Sequence, residues 1–351
     1  MAIKKYFSSK NTEQSYFSKR NKKLRVSKKT ITSTVPKNAL IELTNACNHA
    51  CVFCYNPKMK RVKNFLNFDT YKNFILACVK EKVEEVGLYS TGDPFMAKNL
   101  LETIIFAKQN GIKRVYITTN GALATFEKVK RCIDAGLDSI KFSINAGSKK
   151  TYKIIHGFDD FEKVFKNIED IYNYKVKNKI KLQLFSSYVY TNITYDEIND
   201  FKKNFSKFFE EMYFIKALNQ GGRNVELSNK LNNKLEFENN NFEVNEEPCE
   251  MLWNRLHLTS EGNLTACCVD YENDLVYSKF DSKDSLYNLF NSPEIKTLRH
   301  RHLSKNLDGT ICKDCIYNIK TDYKKLKNIN TKETRLNENK IQSLKERIKS
   351  I

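Results

Sequence analysis

From residue 39 to about residue 218 the chain alternates short apolar runs with amphipathic segments of helical period, and that alternation admits few folds. Strands joined through helices lie parallel, because each crossover carries the chain back to the same end of the sheet, so the pattern predicts an α/β fold with a parallel sheet. Six strands are countable: ALIELT at 39–44, VEEVGLYS at 83–90, RVYITTN at 114–120, SIKFSI at 139–144, KIKLQLFSSYVY at 179–190 and MYFIKAL at 212–218. Gly111 and Gly136 stand where helix C-caps belong, and Asp69 or Thr70 can cap the first helix.

The pattern changes after the sixth run. Residues 228–247, SNKLNNKLEFENNNFEVNEE, are polar and Asn-rich and predict a linker or exposed loop. RLHLT, SEGN and LTACCV then read as a β-hairpin with Gly262 in its turn, and SPEIKTLRHRHL as a helix capped by Ser292 with Pro293 at its first position. From about residue 324 the chain is Lys/Asn-rich, a single helix or a tail.

With 351 residues, 40% of them apolar, the chain can bury a large core, and roughly 150 residues per domain gives about two units. It has no apolar run of membrane-spanning length and its first residues do not read as an export signal, which predicts a soluble cytoplasmic protein with no membrane partner. Ten cysteines in a reducing compartment point to metal binding or catalysis rather than disulfides. The net charge of +19 is spread along the chain, which argues against a nucleic-acid footprint, and the basic run KRNKKLRVSKK at 19–29 reads as a solvated arm.

Three of the cysteines, Cys47, Cys51 and Cys54, form C-x3-C-x2-C just after the first strand, at the strand end where α/β barrels build active sites. A structural zinc site takes four protein ligands, whereas three thiolates suit three corners of a 4Fe-4S cube and leave one iron free. His49 reads as a loop residue, and Cys78 and Cys132, on helical patterns, as small core residues. A second set follows: Cys249, twelve residues, Gly262, four residues, Cys267, then 44 residues and Cys312-x2-Cys315. Four thiols in that arrangement can hold zinc in a ribbon or a second 4Fe-4S cluster.

The first spacing, with Phe53 before its last cysteine, resembles the signature of radical SAM enzymes. The resemblance implies a partial (β/α)6 TIM-type barrel over 35–227 that binds S-adenosyl-L-methionine (SAM) at the free iron and cleaves it reductively. Thr91, Gly92, Asp93 and Pro94 in STGDPFM resemble the family's GGEP-type turn, whose backbone receives the SAM amino group, with Asp93 in place of the commoner Glu. Close backbone approach to a ligand would explain Gly92. Asn120 in TTNG, and Ser143 and Asn145 in FSINAG, stand at strand ends where the family binds the ribose and carboxylate of SAM.

The C-terminal set resembles the auxiliary-cluster domains called SPASM and twitch. With no cysteine after Cys315 it implies the one-cluster form over 248–323, its 4Fe-4S cluster held by Cys249, Cys267, Cys312 and Cys315 and used for electron transfer. Cys268 leaves one ligand ambiguous by a position, and the Gly-x4-Cys spacing picks Cys267. Residues 1–34 are then a basic extension, 228–247 a linker and 324–351 a tail or helix.

This pattern is most similar to the SAM-dependent 2-deoxy-scyllo-inosamine dehydrogenase type. It implies an iron-sulfur oxidoreductase whose 5′-deoxyadenosyl radical takes hydrogen from a small polar substrate of sugar or aminocyclitol type, the auxiliary cluster taking an electron. Flavodoxin or ferredoxin would be the electron donor. The alternative is a peptide- or protein-modifying maturase, against which the roughly 35 residues before the first strand are short for a leader-binding domain. Arg223, Arg255 and His257 are candidate substrate contacts or a base.

Overall fold

A computed structural model of the protein describes residues 28–233 and 247–351. Most of the basic run at 19–29, and the later part of the expected linker at 234–246, lie outside the described residues. Six parallel strands, β1 (Asn38–Ile41), β2 (Glu85–Gly87), β3 (Arg114–Thr119), β4 (Ser139–Ser143), β5 (Gln183–Tyr190) and β6 (Glu211–Lys216), lie side by side in chain order. The crossovers carry α1 (Phe68–Lys80), α2 (Leu100–Gln109), α3 (Phe126–Asp134), α4 (Lys149–His156), α5 (Phe161–Lys177) and α6 (Ile198–Phe205). This is the open α/β sheet of a partial barrel.

Several strands are shorter than the apolar runs that predict them. ALIELT leaves the ladder at Ile41, and VEEVGLYS keeps only Glu85–Gly87, because the ends of these runs turn into the loops that form the site. Asn67, rather than Asp69 or Thr70, caps α1: it keeps a non-helical backbone, and its side chain accepts the Thr70 N–H at 3.0 Å. The expected linker begins as α7 (Val225–Asn232), since Val225, Ser228 and Leu231 recur at helical spacing and bury one face.

The sheet does not stop at β1. Strand β7 (Leu256–Leu258) pairs parallel with it, Ala39 opposite Leu256 and Ile41 opposite Leu258. Strands β8 (Asn263–Thr265) and β9 (Val276–Lys279) then add antiparallel, giving nine strands among the described residues in the order β6-β5-β4-β3-β2-β1-β7-β8-β9. One hydrophobic core runs through both parts, joining Ala39 and Ile41 to Trp253, Leu256, Leu258 and Leu264.

The C-terminal part also holds α8 (Met251–Asn254), α9 (Leu286–Phe290), α10 (Pro293–Leu303) and α11 (Ile311–Tyr317). The chain ends in α12 (Glu338–Lys349). Cys78 and Cys132 are buried in α1 and α3. No helix among the described residues is long and apolar enough to cross a membrane.

Candidate iron-sulfur and SAM site

The loop after β1 holds Cys47, Cys51 and Cys54, all half-buried. Burial, with the nearby Asp93 carboxylate, pushes the Cys47 thiol up to about 12, and burial with the charges of Cys54 and Cys47 raises Cys51 well above its ordinary value. Thiols packed this closely become thiolates only beside a cation, which an iron centre supplies. Three sulfur donors from one loop therefore fit a cluster with one iron left open.

Phe53 points into a small apolar cluster with Val52, Ile155, Ala217, Leu231 and Leu344, so it packs the floor of the loop. Helix α12 closes over the same floor: Arg347 donates to Ala50 O at 2.8 Å and to Ile154 O at 2.9 Å. Lys63 reaches Asn45 O and Asn56 Oδ1, each at 3.2 Å; burial, with Lys340 nearby, lowers its pKa to about 8.

His49 is more than a loop residue. It is fully buried, its Nε2 lies 3.0 Å from Asp160 Oδ2, and its Nδ1 lies 3.2 Å from Nδ1 of His156. Burial lowers the pKa of both rings and so favours their neutral forms, though Asp160 acts against it at His49. His156 Nε2 accepts from the backbone N–H of Asn145 at 3.2 Å, which puts the His156 proton on Nδ1, facing His49 and Cys51 Sγ at 3.5 Å. The donor atoms of His49, Cys51 and His156 all lie within 4.8 Å of one another. The chain of bonds orders them as Asp160, His49, His156 and Asn145, with Cys51 at the side. His156 and Asp160 were not singled out by the sequence, because only tertiary folding carries the end of α4 to the cysteine loop.

The turn after β2 is locked to that loop. A Cβ on Gly92 would lie 2.4 Å from both Thr44 O and Ala46 O, so the missing side chain serves close packing against the chain's own cysteine loop. Thr91 donates its hydroxyl to Glu42 and its carbonyl accepts Asn56 Nδ2 at 2.7 Å. Pro94 opens a 3-10 turn, Pro94–Met96, whose cap is Asp93.

Asp93 itself is buried, and its carboxylate accepts Thr119 Oγ1 at 2.8 Å, Asn120 N at 2.9 Å and Phe95 N at 3.0 Å. It ties the turn to the end of β3. Asn120 Nδ2 in turn lies 2.8 Å from Asn48 Oδ1 and 3.8 Å from Cys47 Sγ. Asn145 donates through Nδ2 to Ser143 Oγ at 3.3 Å and accepts Val189 N at 2.8 Å, bridging β4 to β5. The structure thus brings Thr91, Gly92, Asp93, Pro94 and Asn120 around the cysteine loop and sets Asn145 against it through His156.

In the C-terminal part, Cys249, Cys267, Cys312 and Cys315 line one cavity of about 40 Å3, together with His302 and the apolar side chains Leu252, Ala266, Leu275, Ile311 and Ile316. Burial and the charges of Cys249 and Cys315 raise Cys312, and burial with Cys249 and Cys268 pushes Cys315 up to about 12. Four soft donors in an apolar pocket again fit an iron-sulfur group. Cys268 is not among the residues lining this cavity, but its thiol hydrogen-bonds that of Cys267 as well as His257, and its carbonyl accepts Ser90 Oγ at 2.9 Å. His302 is held down to about 4 by burial and is neutral.

Two further residues tie the parts together and carry no sequence signature. Tyr271, four positions after Cys267, sets its hydroxyl 3.4 Å from Cys54 Sγ and donates to Gln220 Oε1 at 2.9 Å. Arg61, fully buried, donates to Glu42 at 2.6 Å and to Glu261 at 2.8 Å, joining the start of the cysteine loop to the hairpin turn. Arg223 is paired with Asp274 and stacked between Tyr55 and Tyr323, each ring centroid 5.6 Å away, so it is an internal tie rather than a free substrate contact. His257 is buried in β7 with Arg255 just before that strand, both beside Cys268.

The family comparisons agree with this geometry. The profile of the radical SAM superfamily matches residues 41–204, and that of an iron-sulfur cluster-binding domain, SPASM, matches residues 249–316. The chain carries a radical SAM domain followed by a SPASM-type iron-sulfur cluster-binding domain; the first implies a SAM-binding 4Fe-4S cluster and SAM, the second auxiliary iron-sulfur chemistry.

Among solved structures, BtrN in complex with AdoMet and 2-DOIA aligns at a TM-score of 0.54 and 16% identity, covering 81% of this chain and 94% of that one. SuiB of Streptococcus suis bound to precursor peptide SuiA aligns at 0.58 and 14%, covering 84% and 74%. anSMEcpe with bound AdoMet aligns at 0.55 and 14%, covering 90% and 98%. These likenesses are of fold.

Among curated relatives, an uncharacterized protein of Methanocaldococcus jannaschii is 35% identical over 130 residues, 37% of this chain and 41% of its own length. A GTP 3′,8-cyclase of Mannheimia succiniciproducens is 29% identical over 187 residues, 52% and 53% respectively. The chain thus spans about half, or less, of the curated relatives it matches.

Proposed function

We propose that the chain is a radical SAM oxidoreductase that oxidises a small polar substrate, of sugar or aminocyclitol type, at a carbinol carbon. Cys47, Cys51 and Cys54 would hold the SAM-cleaving cluster, and Cys249, Cys267, Cys312 and Cys315 the auxiliary one. When bound and reduced, the first cluster and SAM supply a 5′-deoxyadenosyl radical as hydrogen-atom acceptor. Loss of the carbinol C–H hydrogen to that acceptor, of a second electron to the group that Cys249, Cys267, Cys312 and Cys315 would hold, and of the hydroxyl proton to solvent would leave a ketone.

The observation that carries this reading is the contact of Tyr271 with Cys54, since Tyr271 lies in the loop that follows Cys267 and so links the segment bearing the second cysteine set to the first. A substrate lying near both would find a hydrogen acceptor and an electron acceptor at short range. Around the first cluster the protein orients: Asp93 fixes the turn and the β3 end, Asn120 and Asn48 flank Cys47, and His156 holds Asn145 against Cys51. Thr91, Ser143 and Asn145 are the remaining candidate SAM contacts, and Phe53 supports the loop from below.

The test is anaerobic incubation of the reduced enzyme with SAM and carbinol-deuterated aminocyclitols or sugars. Deuterium in 5′-deoxyadenosine together with a ketone product supports the proposal. Substrate-dependent turnover with peptides alone, as the precursor peptide in the SuiB structure would prompt one to try, would replace it with a maturase.

A further inference from the structure

Helix α10 turns Ile295, Leu298, Arg299 and His302 inward, a spacing of three, four and seven that marks one buried helical face. Arg299 is satisfied there, donating to Leu252 O, Ile31 O, Asn291 Oδ1 and Phe290 O. His302 is not. Its Nδ1 accepts the backbone N–H of Cys249 at 3.4 Å, so the ring proton sits on Nε2, and Nε2 is buried with no partner among the described residues. A buried donor left unpaired is destabilising, with no evident return inside a well-packed helix face. The ring lines the four-cysteine cavity, where among the described residues it is the one lining side chain that carries a nitrogen.

We propose that His302 is a positioning residue of the auxiliary site: its Nε2–H donates to a sulfur of the cluster held by Cys249, Cys267, Cys312 and Cys315 and raises the potential at which that cluster accepts an electron. The chemistry is general. Hydrogen bonds to cluster sulfurs draw off charge and favour the reduced form, while an apolar wall favours the less charged one. In this cavity the other walls are Leu252, Ala266, Leu275, Ile311 and Ile316, so a single N–H is well placed to set the balance. The bond also fixes the ring at both ends, Nδ1 on the backbone of one cysteine and Nε2 on the group itself. The inference rests on the proposed auxiliary cluster and deepens it: a higher potential suits a site that takes an electron from a substrate radical.

The experiment uses the full chain with Cys47, Cys51 and Cys54 changed to Ala, so that the auxiliary cluster alone gives a signal. Iron, sulfide and the EPR-monitored midpoint potential are measured after anaerobic reconstitution, with His302 intact, with His302→Leu and with His302→Gln. The inference expects the Leu variant to keep iron but titrate at lower potential, and the Gln variant, which retains an N–H donor, to stay near the parent. It also expects pulsed EPR of the parent to show a weak nitrogen coupling and an exchangeable proton coupling, which keeps the test open should the Leu variant fail to assemble. An unchanged potential in an iron-loaded Leu variant, or a parent lacking both couplings, overturns it. A strong coupling diagnostic of nitrogen bound to iron overturns it in favour of ligation. A parent with no iron overturns the auxiliary-cluster reading and this inference together, and is thereby distinguishable from the others.

Discussion

A Cβ at Gly92 would collide with two carbonyl oxygens of the cysteine loop. Gly92→Ala forces that backbone apart, and the overpacking should cost about 1–3 kcal/mol and loosen the loop that carries the cluster thiols. The expected outcome is a lower iron content after reconstitution and several-fold slower SAM cleavage; iron and activity equal to wild type would contradict it.

Asp93 offers a sharper case. Its carboxylate accepts three donors, so Asp93→Asn aims an amide N–H at groups that are themselves donors and should cost about 1–3 kcal/mol for the one left unpaired. Weaker SAM binding, read as a raised KM for SAM, is the result to look for. The cysteines, the glycine turn and the polar strand ends were legible because their spacing is short-range. His156, Asp160, Tyr271 and His302 were not, since each acquires its partner from a segment remote in sequence. A lone His or Tyr in an amphipathic pattern carries no mark of where it will be folded.

Between elements, the tie that matters most is Arg61 with Glu42 and Glu261. Arg61→Leu would leave Glu42 buried beside Thr91 and Ser260 without its counter-charge, and breaking such a pair costs about 3–5 kcal/mol. A fall of that size in unfolding free energy by urea titration is expected, and no change would refute the tie.

The same pair sets a pH dependence. Burial opposes ionisation of Glu42, but Arg61, the Thr91 hydroxyl and the Ser260 N–H hold its pKa below the ordinary 4.5. A depressed acid stabilises the fold above its unfolded pKa and loses that contribution as pH falls through the folded value. Stability of the wild type should therefore drop on acidification below about pH 4.5, and Glu42→Gln should flatten that limb while lowering the neutral plateau.

Helix α12 is the element the sequence showed least. Its solvent face is rich in Lys and Glu, and only Leu344 among its residues is fully buried, so a single apolar anchor had to be recognised against a polar background. Leu344→Ala should cost about 2–5 kcal/mol and release the helix from the floor of the cysteine loop. Faster hydrogen exchange at 338–349 and at the Ala50 and Val52 amides would show it; protection unchanged at both would not fit. The α/β alternation and the hairpin were readable from period and turn chemistry. The pairing of β7 with β1 was not, because strand order across a long connection depends on tertiary contacts.

For the whole molecule, that pairing is what makes two cysteine sets one device. The sheet runs unbroken from the barrel strands into the hairpin, a common core lies beneath it, and Tyr271, from the loop that follows Cys267, touches Cys54. The central claim is therefore two clusters with one enzyme function. It is tested most directly by iron and labile sulfide counts, with reductant-dependent SAM cleavage, on the anaerobically reconstituted full chain and on its Cys47/Cys51/Cys54 triple Ala variant. About eight irons falling to about four, with cleavage abolished in the variant, is the predicted result. About four irons in the wild type, undiminished in the variant, would contradict it.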